Sequence, residues 1–176
     1  VLLANLVPMW LHDGRSIHQA QTFATAPVIT AFAPGYMRLE GRLTDKLHLE
    51  AEIVVFDSQS VGGQFTVRNT GALTENLRLD LYAQVATERR KIPLAILTLV
   101  DEMNALSLGR MLGLEPVVLL EGADVDIIPG RKASPQIGAS VEISAGESVT
   151  LRWSHAGLAK MMDSLDRARF WLTQEW

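Results

Sequence analysis

Three acids crowd one polar stretch of this chain: Glu121, Asp124 and Asp126. Carboxylates this close can share a calcium ion, or divide the work of general acid and general base. An EF-hand loop needs further ligands and a glycine at set positions, and these are missing, so a solvated loop is the plainer reading. Asp101-Glu102 suits a hairpin turn. The histidines, His12, His18, His48 and His155, show neither HxH nor HExxH spacing, and zinc needs three or four converging ligands. No Gly-x-Ser-x-Gly elbow surrounds Ser107 or Ser148, and Gly62-Gly63 is too short for a phosphate loop. The absence of cysteine excludes thiolate zinc sites, cysteine nucleophiles and disulfides. Neither a metal nor another cofactor is expected.

The aromatic residues Trp10, Tyr36, Tyr82 and Trp153 are the remaining lead, because a flat apolar ring suits a pyranose face. Tyr82 falls on the outward register of its strand. Trp153 shares the register of Val149 and Leu151, which favours the core, yet it sits at a strand end and could lean out. Tyr82 and Trp153 are therefore the candidate ligand contacts, with core or interface packing as the alternative for the whole group. Trp171 and Trp176 close the chain. Two indoles at such a place are expected to meet an interface rather than water.

The elements that would position these residues are legible in the periodicity. Phe65 and Val67 alternate with Thr66 and Arg68; Leu77, Leu79, Leu81, Ala83 and Val85 alternate with Arg78, Asp80, Tyr82 and Gln84. Alternation of period two puts apolar side chains on one face of a strand. The link Asn69–Glu75 carries Asn and Gly, so the stretch Gln64–Val85 reads as a hairpin. The clearest alternating run is Leu47–Val55, with His48, Glu50 and Glu52 facing the other way. Further strands are expected at Val28–Phe32, Met37–Leu43, Leu94–Val100, Ala105–Leu108, Pro116–Leu120, Ala139–Ile143 and Ser148–Trp153, with a weak one at Ile17–Phe23. Glu121–Gly138 reads as a long loop around a short Asp126–Ile128 extension. About eleven strand candidates without interposed helices imply a mainly β, two-layer antiparallel sandwich. Leu158, Met161, Met162, Leu165, Ala168 and Leu172 then fall at helical spacing and predict one C-terminal α-helix.

A chain of 176 residues with 48% apolar and 20% charged residues suits one globular domain. Its net charge of −4 argues against a nucleic-acid partner, and the densest basic run, Arg89-Arg90-Lys91, reads as a solvated turn. No apolar run approaches the roughly 20 residues that span a bilayer, so no membrane partner is expected. Val1–Trp10 is short, interrupted by Asn5 and Pro8, and lacks a basic leader, so it is not read as a signal peptide. The opening Val hints at a piece of a longer protein. Compartment stays open, leaning cytoplasmic.

A family resemblance is carried by Pro27–Gly35, the acidic ribbon Leu47–Phe56, Phe65-Thr66-Val67-Arg68-Asn69-Thr70-Gly71 and Leu77-Arg78-Leu79. Asn104–Gly109, Pro116–Gly122, Ala145–Leu151 and the closing Ala168-Arg169-Phe170-Trp171-Leu172 complete it. The chain resembles the N-terminal β-supersandwich domain, galactose-mutarotase-like, that precedes the (α/α)6 barrel in glycoside hydrolases of the glycogen-debranching, glucoamylase-like and trehalase-like kind. The resemblance implies a sandwich domain over residues 1–156 and a linker helix over 157–176 leading toward a catalytic barrel of the same polypeptide. The family's catalytic carboxylates lie in that barrel, so no catalytic residue is expected here. The rivals are a stand-alone module that binds an oligosaccharide, and a structural sandwich that binds protein.

Overall fold

The computed structural model describes residues 3–86, 96–98, 104–110, 112–121, 125–128 and 136–175. Among them are thirteen strands and one α-helix. In chain order the first seven strands are β1 (Leu3–His12), β2 (Arg15–Ile17), β3 (Thr25–Ala33), β4 (Tyr36–Arg42), β5 (Leu47–Asp57), β6 (Ser60–Asn69) and β7 (Glu75–Ala86). There follow β8 (Ile96–Thr98), β9 (Asn104–Ser107), β10 (Val117–Leu120), β11 (Val125–Ile128), β12 (Gln136–Ile143), β13 (Ser148–Ala156) and the helix α1 (Met161–Thr173). Two antiparallel sheets form, one in the order β11-β12-β7-β1-β2 and one in the order β3-β4-β5-β6-β13-β10-β9-β8. The mainly β, two-layer sandwich with a C-terminal helix is the architecture expected from the alternation.

The core lies between the sheets, as period-two patterning demands. Leu47, Leu49, Ala51, Phe65, Val67, Leu151 and Trp153 of the large sheet meet Trp10, Leu77, Leu79, Leu81, Ile137 and Ala139 of the small one. Trp10 meets Phe65 edge-on at 5.6 Å, and Phe65 stacks near-parallel on Trp153 at 6.5 Å. The strand faces are therefore those read from the sequence, but two connections are not.

The stretch Gln64–Val85 is not a hairpin. β6 belongs to the large sheet and β7 to the small one, so residues 70–74 arch from layer to layer. Asn69 is the reason. Fully buried, it donates its side-chain amide to the carbonyls of Leu73 (2.7 Å) and Ile143 (2.9 Å) and accepts the Gly71 N–H (2.8 Å). Its backbone also pairs with Glu147 and Gly146 in the turn between β12 and β13, where the chain crosses between layers again. One asparagine thus ties two arches together through its side-chain amide.

The opening segment is a further departure. No strand was expected over Val1–Trp10, yet β1 pairs with β7 along Leu3–Leu11 and places Trp10 in the core. Asp13 (φ 48°) and Gly14 (φ 72°) then make a tight turn, as an Asp-Gly pair favours. The weak strand expected at Ile17–Phe23 is only the end of β2 followed by a 3-10 turn at Ala20–Thr22. Within the expected loop Glu121–Gly138, β11 falls on the short extension expected at Asp126–Ile128, while β12 begins at Gln136, earlier than the Ala139 expected. Arg89-Arg90-Lys91, Asp101-Glu102 and Trp176 lie outside the described residues.

The helix α1 buries Ser164, Leu165, Ala168 and Leu172 on the outer face of the large sheet, against Val117, Leu119 and Ala156. A carboxylate from a distant loop caps it: Glu115 accepts the Met161 N–H at 2.9 Å, where the helix dipole favours negative charge. Ser154 of β13 donates to the Ala168 carbonyl at 2.7 Å, fixing the helix over the sheet.

Candidate functional site

The four aromatics of the sugar-platform reading do not converge. Trp10 is 1% exposed in the core, and Trp153 is 7% exposed with its ring packed on Phe65. Tyr82 lies on the outer face of the small sheet, opposite Val7 and Gln136, its hydroxyl pushed up by burial and the nearby Asp80 carboxylate. Tyr36 lies on the outer face of the large sheet and donates to Glu52 at 2.6 Å, a bond that raises its own pKa. Around it runs a ladder of opposite charges and amides, Arg38 to Glu50 and Gln64 to Glu52, as cross-strand neighbours allow.

Trp171 stacks on Phe56 at 4.5 Å and 5° at the tip of the β5–β6 hairpin. Beside it Arg167 reaches Asp57 at 3.0 Å, so the helix end is pinned to that tip. Burial works against ionisation of Asp57, but the Gln59 N–H, the Ser60 hydroxyl and Arg167 outweigh it and hold the carboxyl below its ordinary range. Phe170, next along, is 51% exposed.

Of the acidic trio, Asp124 is outside the described residues and Glu121 is an exposed residue that approaches Arg152 at 3.9 Å. A different carboxylate cluster forms that sequence reading missed. His12 donates to one Glu75 oxygen at 2.8 Å, Lys46 to the other at 3.0 Å, and Asp13 stands 3.7 Å from the other His12 nitrogen. His12, Asp13 and Glu75 place ligand atoms close enough to share a cation. Both Glu75 oxygens, however, already accept hydrogen bonds, so the arrangement is a closed ion network rather than an open metal cage. His12 first, then Lys46, hold the Glu75 carboxyl below its ordinary range, against a smaller effect of burial. The only sequence signal was the pair His12-Asp13 at a turn; Glu75 comes from 63 residues away.

The third feature is a groove of about 410 Å³ opening between β1 of the small sheet and β3, β4 and β5 of the large one. It exists because the sheets are unequal. β2 pairs with β1 only at Trp10–His12, and among the described residues no strand lies along that edge of Leu3–Met9. Ile29 and Phe32 pair with Leu39 and Met37 and so share their inward face, yet they are 59% and 77% exposed. The floor is Phe65, Trp153, Leu49 and Ala51, and both rim strands carry a proline, Pro8 and Pro27. The Trp153 Nε1 is buried without a hydrogen-bond partner.

No known protein-family model matches the sequence, and no curated protein matches it. Solved structures do. A chain described as a kojibiose phosphorylase from the human microbiome aligns with a TM-score of 0.63 and 10% identity over 96% of this chain. The fold is that of the β-supersandwich. A heparinase III aligns at 0.60 and 12% identity over 88% of this chain, and a polysaccharide lyase at 0.56 and 9% over 93%. At these identities the likeness is one of fold. The chain spans about a quarter of each, 25%, 24% and 27% of their lengths. In the supersandwich, then, Trp10, Tyr36, Tyr82 and Trp153 form no common aromatic platform. No helix among the described residues is long and apolar enough to cross a membrane, which says nothing of a β-barrel.

Proposed function

We propose that the chain is the non-catalytic supersandwich domain of a larger carbohydrate-active enzyme, a glycoside hydrolase, and packs against a catalytic (α/α)6 barrel of the same polypeptide. One observation carries this: a match along nearly the whole chain that takes up only a quarter of a protein described as a kojibiose phosphorylase. The lyase and heparinase matches support the same carbohydrate-active context. Glycoside hydrolysis needs two carboxyl groups flanking the scissile bond, which this reading assigns to the barrel. In this reading residues 1–156 are the sandwich domain and 157–176, which carry α1, are the linker toward the barrel, with Trp171 and Trp176 as the proposed contacts to it. The exposed Phe170 beside Trp171 suits such a contact. The experiment is to read the coding sequence beyond Trp176. Roughly 350 or more residues of helical hairpins are expected, the size of six helix pairs; a stop codon directly after Trp176 would remove the barrel and this function with it.

A further inference from the structure

We infer that the groove between β1 and the β3–β5 strands is a binding site for a small, largely apolar aromatic molecule carrying one hydrogen-bond acceptor. Its volume, about 410 Å³, is that of a small-molecule pocket rather than a packing defect. Its walls are aromatic and aliphatic, chiefly Trp10, Phe23, Phe65, Trp153, Leu39 and Ile53. Such a wall rewards apolar rings and leaves hydroxyl-rich ligands unpaired, so a sugar is disfavoured. One donor is nevertheless waiting. Trp153 is more than nine-tenths buried, and its indole N–H has no acceptor. Gly63, which faces it across the strand pair, has no side chain to supply one; a Cβ there would come within 2.8 Å of the nitrogen. Buried N–H groups are otherwise almost always paired, and a ligand oxygen would be the missing partner.

The rim argues against a strand as occupant. Pro8 and Pro27 lack the N–H that an added strand would need, and β3 is further broken by two register shifts, devices that oppose edge pairing. Ile29 and Phe32 extend the apolar surface outward from the groove mouth and provide a landing face for an aromatic ring. The site stands independently of the catalytic partner proposed above.

The test uses two probes of one shape, 1-acetylnaphthalene, which carries an acceptor, and 1-ethylnaphthalene, which does not. Calorimetry on the whole chain should show both binding, the acetyl probe roughly fivefold tighter, the worth of one net hydrogen bond. Of the four indole N–H resonances in a nitrogen-15 correlation spectrum, the one lost in Trp153→Phe should move only with the acetyl probe. Trp153→Phe should equalise the two affinities. Should that variant fail to fold, Ala51→Leu, which narrows the floor, should weaken both probes about tenfold. No binding at hundreds of micromolar, or equal affinities in the unaltered chain with every indole resonance still, overturns the site. A dimer by sedimentation that admits the probes only on dissociation gives the groove to a second copy instead, and also overturns it.

Discussion

At the scale of the residue, the side chains that matter most here join distant segments. Asn69 holds both arches between the sheets through three side-chain hydrogen bonds, two of them to the carbonyls of Leu73 and Ile143. Asn69→Ala should cost about 2–4 kcal/mol in urea unfolding, since buried carbonyls lose their donors; a loss below ~0.5 kcal/mol would show that the arches hold without it. Glu75 behaves as a pH-dependent tie. Its folded-state pKa lies below the ordinary range, so its contribution is full above that range and drains as pH falls through the folded value. Glu75→Gln should therefore destabilise the chain by about 1–3 kcal/mol at pH 7, with the gap closing at acid pH where the unaltered carboxyl is protonated. His155 has the opposite chemistry. Burial lowers its pKa and its Nε2 has no partner, so the unfolded chain binds a proton first as pH falls below the ordinary histidine value. Stability is lost across that window, and His155→Leu should flatten the loss between about pH 7 and 5 when unfolding is followed by denaturant titration. None of these partners could be read from the sequence, because Asn69–Ile143 and His12–Glu75 are contacts of the finished fold.

At the scale of the element, faces were legible and connections were not. The alternation of Leu47–Ile53 and Leu77–Ala83 specified which side chains enter the core, because a one-residue slip would turn every one of them outward; Val55, expected on the same face, is exposed where the register shifts before Asp57. The same alternation is silent about which sheet a strand joins, so an Asn-Gly link that looks like a hairpin became an arch. β1 was hidden for a related reason. Its run Leu3–Leu11 is apolar without clean alternation and contains Pro8, yet a proline is tolerated on a strand whose other edge is open. The closing helix was visible in its stripe, but its cap, Glu115, lies 46 residues upstream. Leu165→Ala should cost about 2–5 kcal/mol and release the helix before the sheets. Amide exchange should then show α1 losing protection while β5 and β6 keep theirs; simultaneous loss would make helix and sandwich one cooperative unit.

At the scale of the whole molecule, the supersandwich offers a core, a capped helix, a closed ion network and an open apolar groove. For Tyr82 and Trp153, register already pointed one outward and the other toward the core, where the structure has them; ring type alone suggested the sugar contact. The direct measurement is the release of sugar from kojibiose with inorganic phosphate, and from nitrophenyl α-glucosides, by the purified chain. The account predicts no release above the buffer control, and sustained turnover by this chain alone would contradict it.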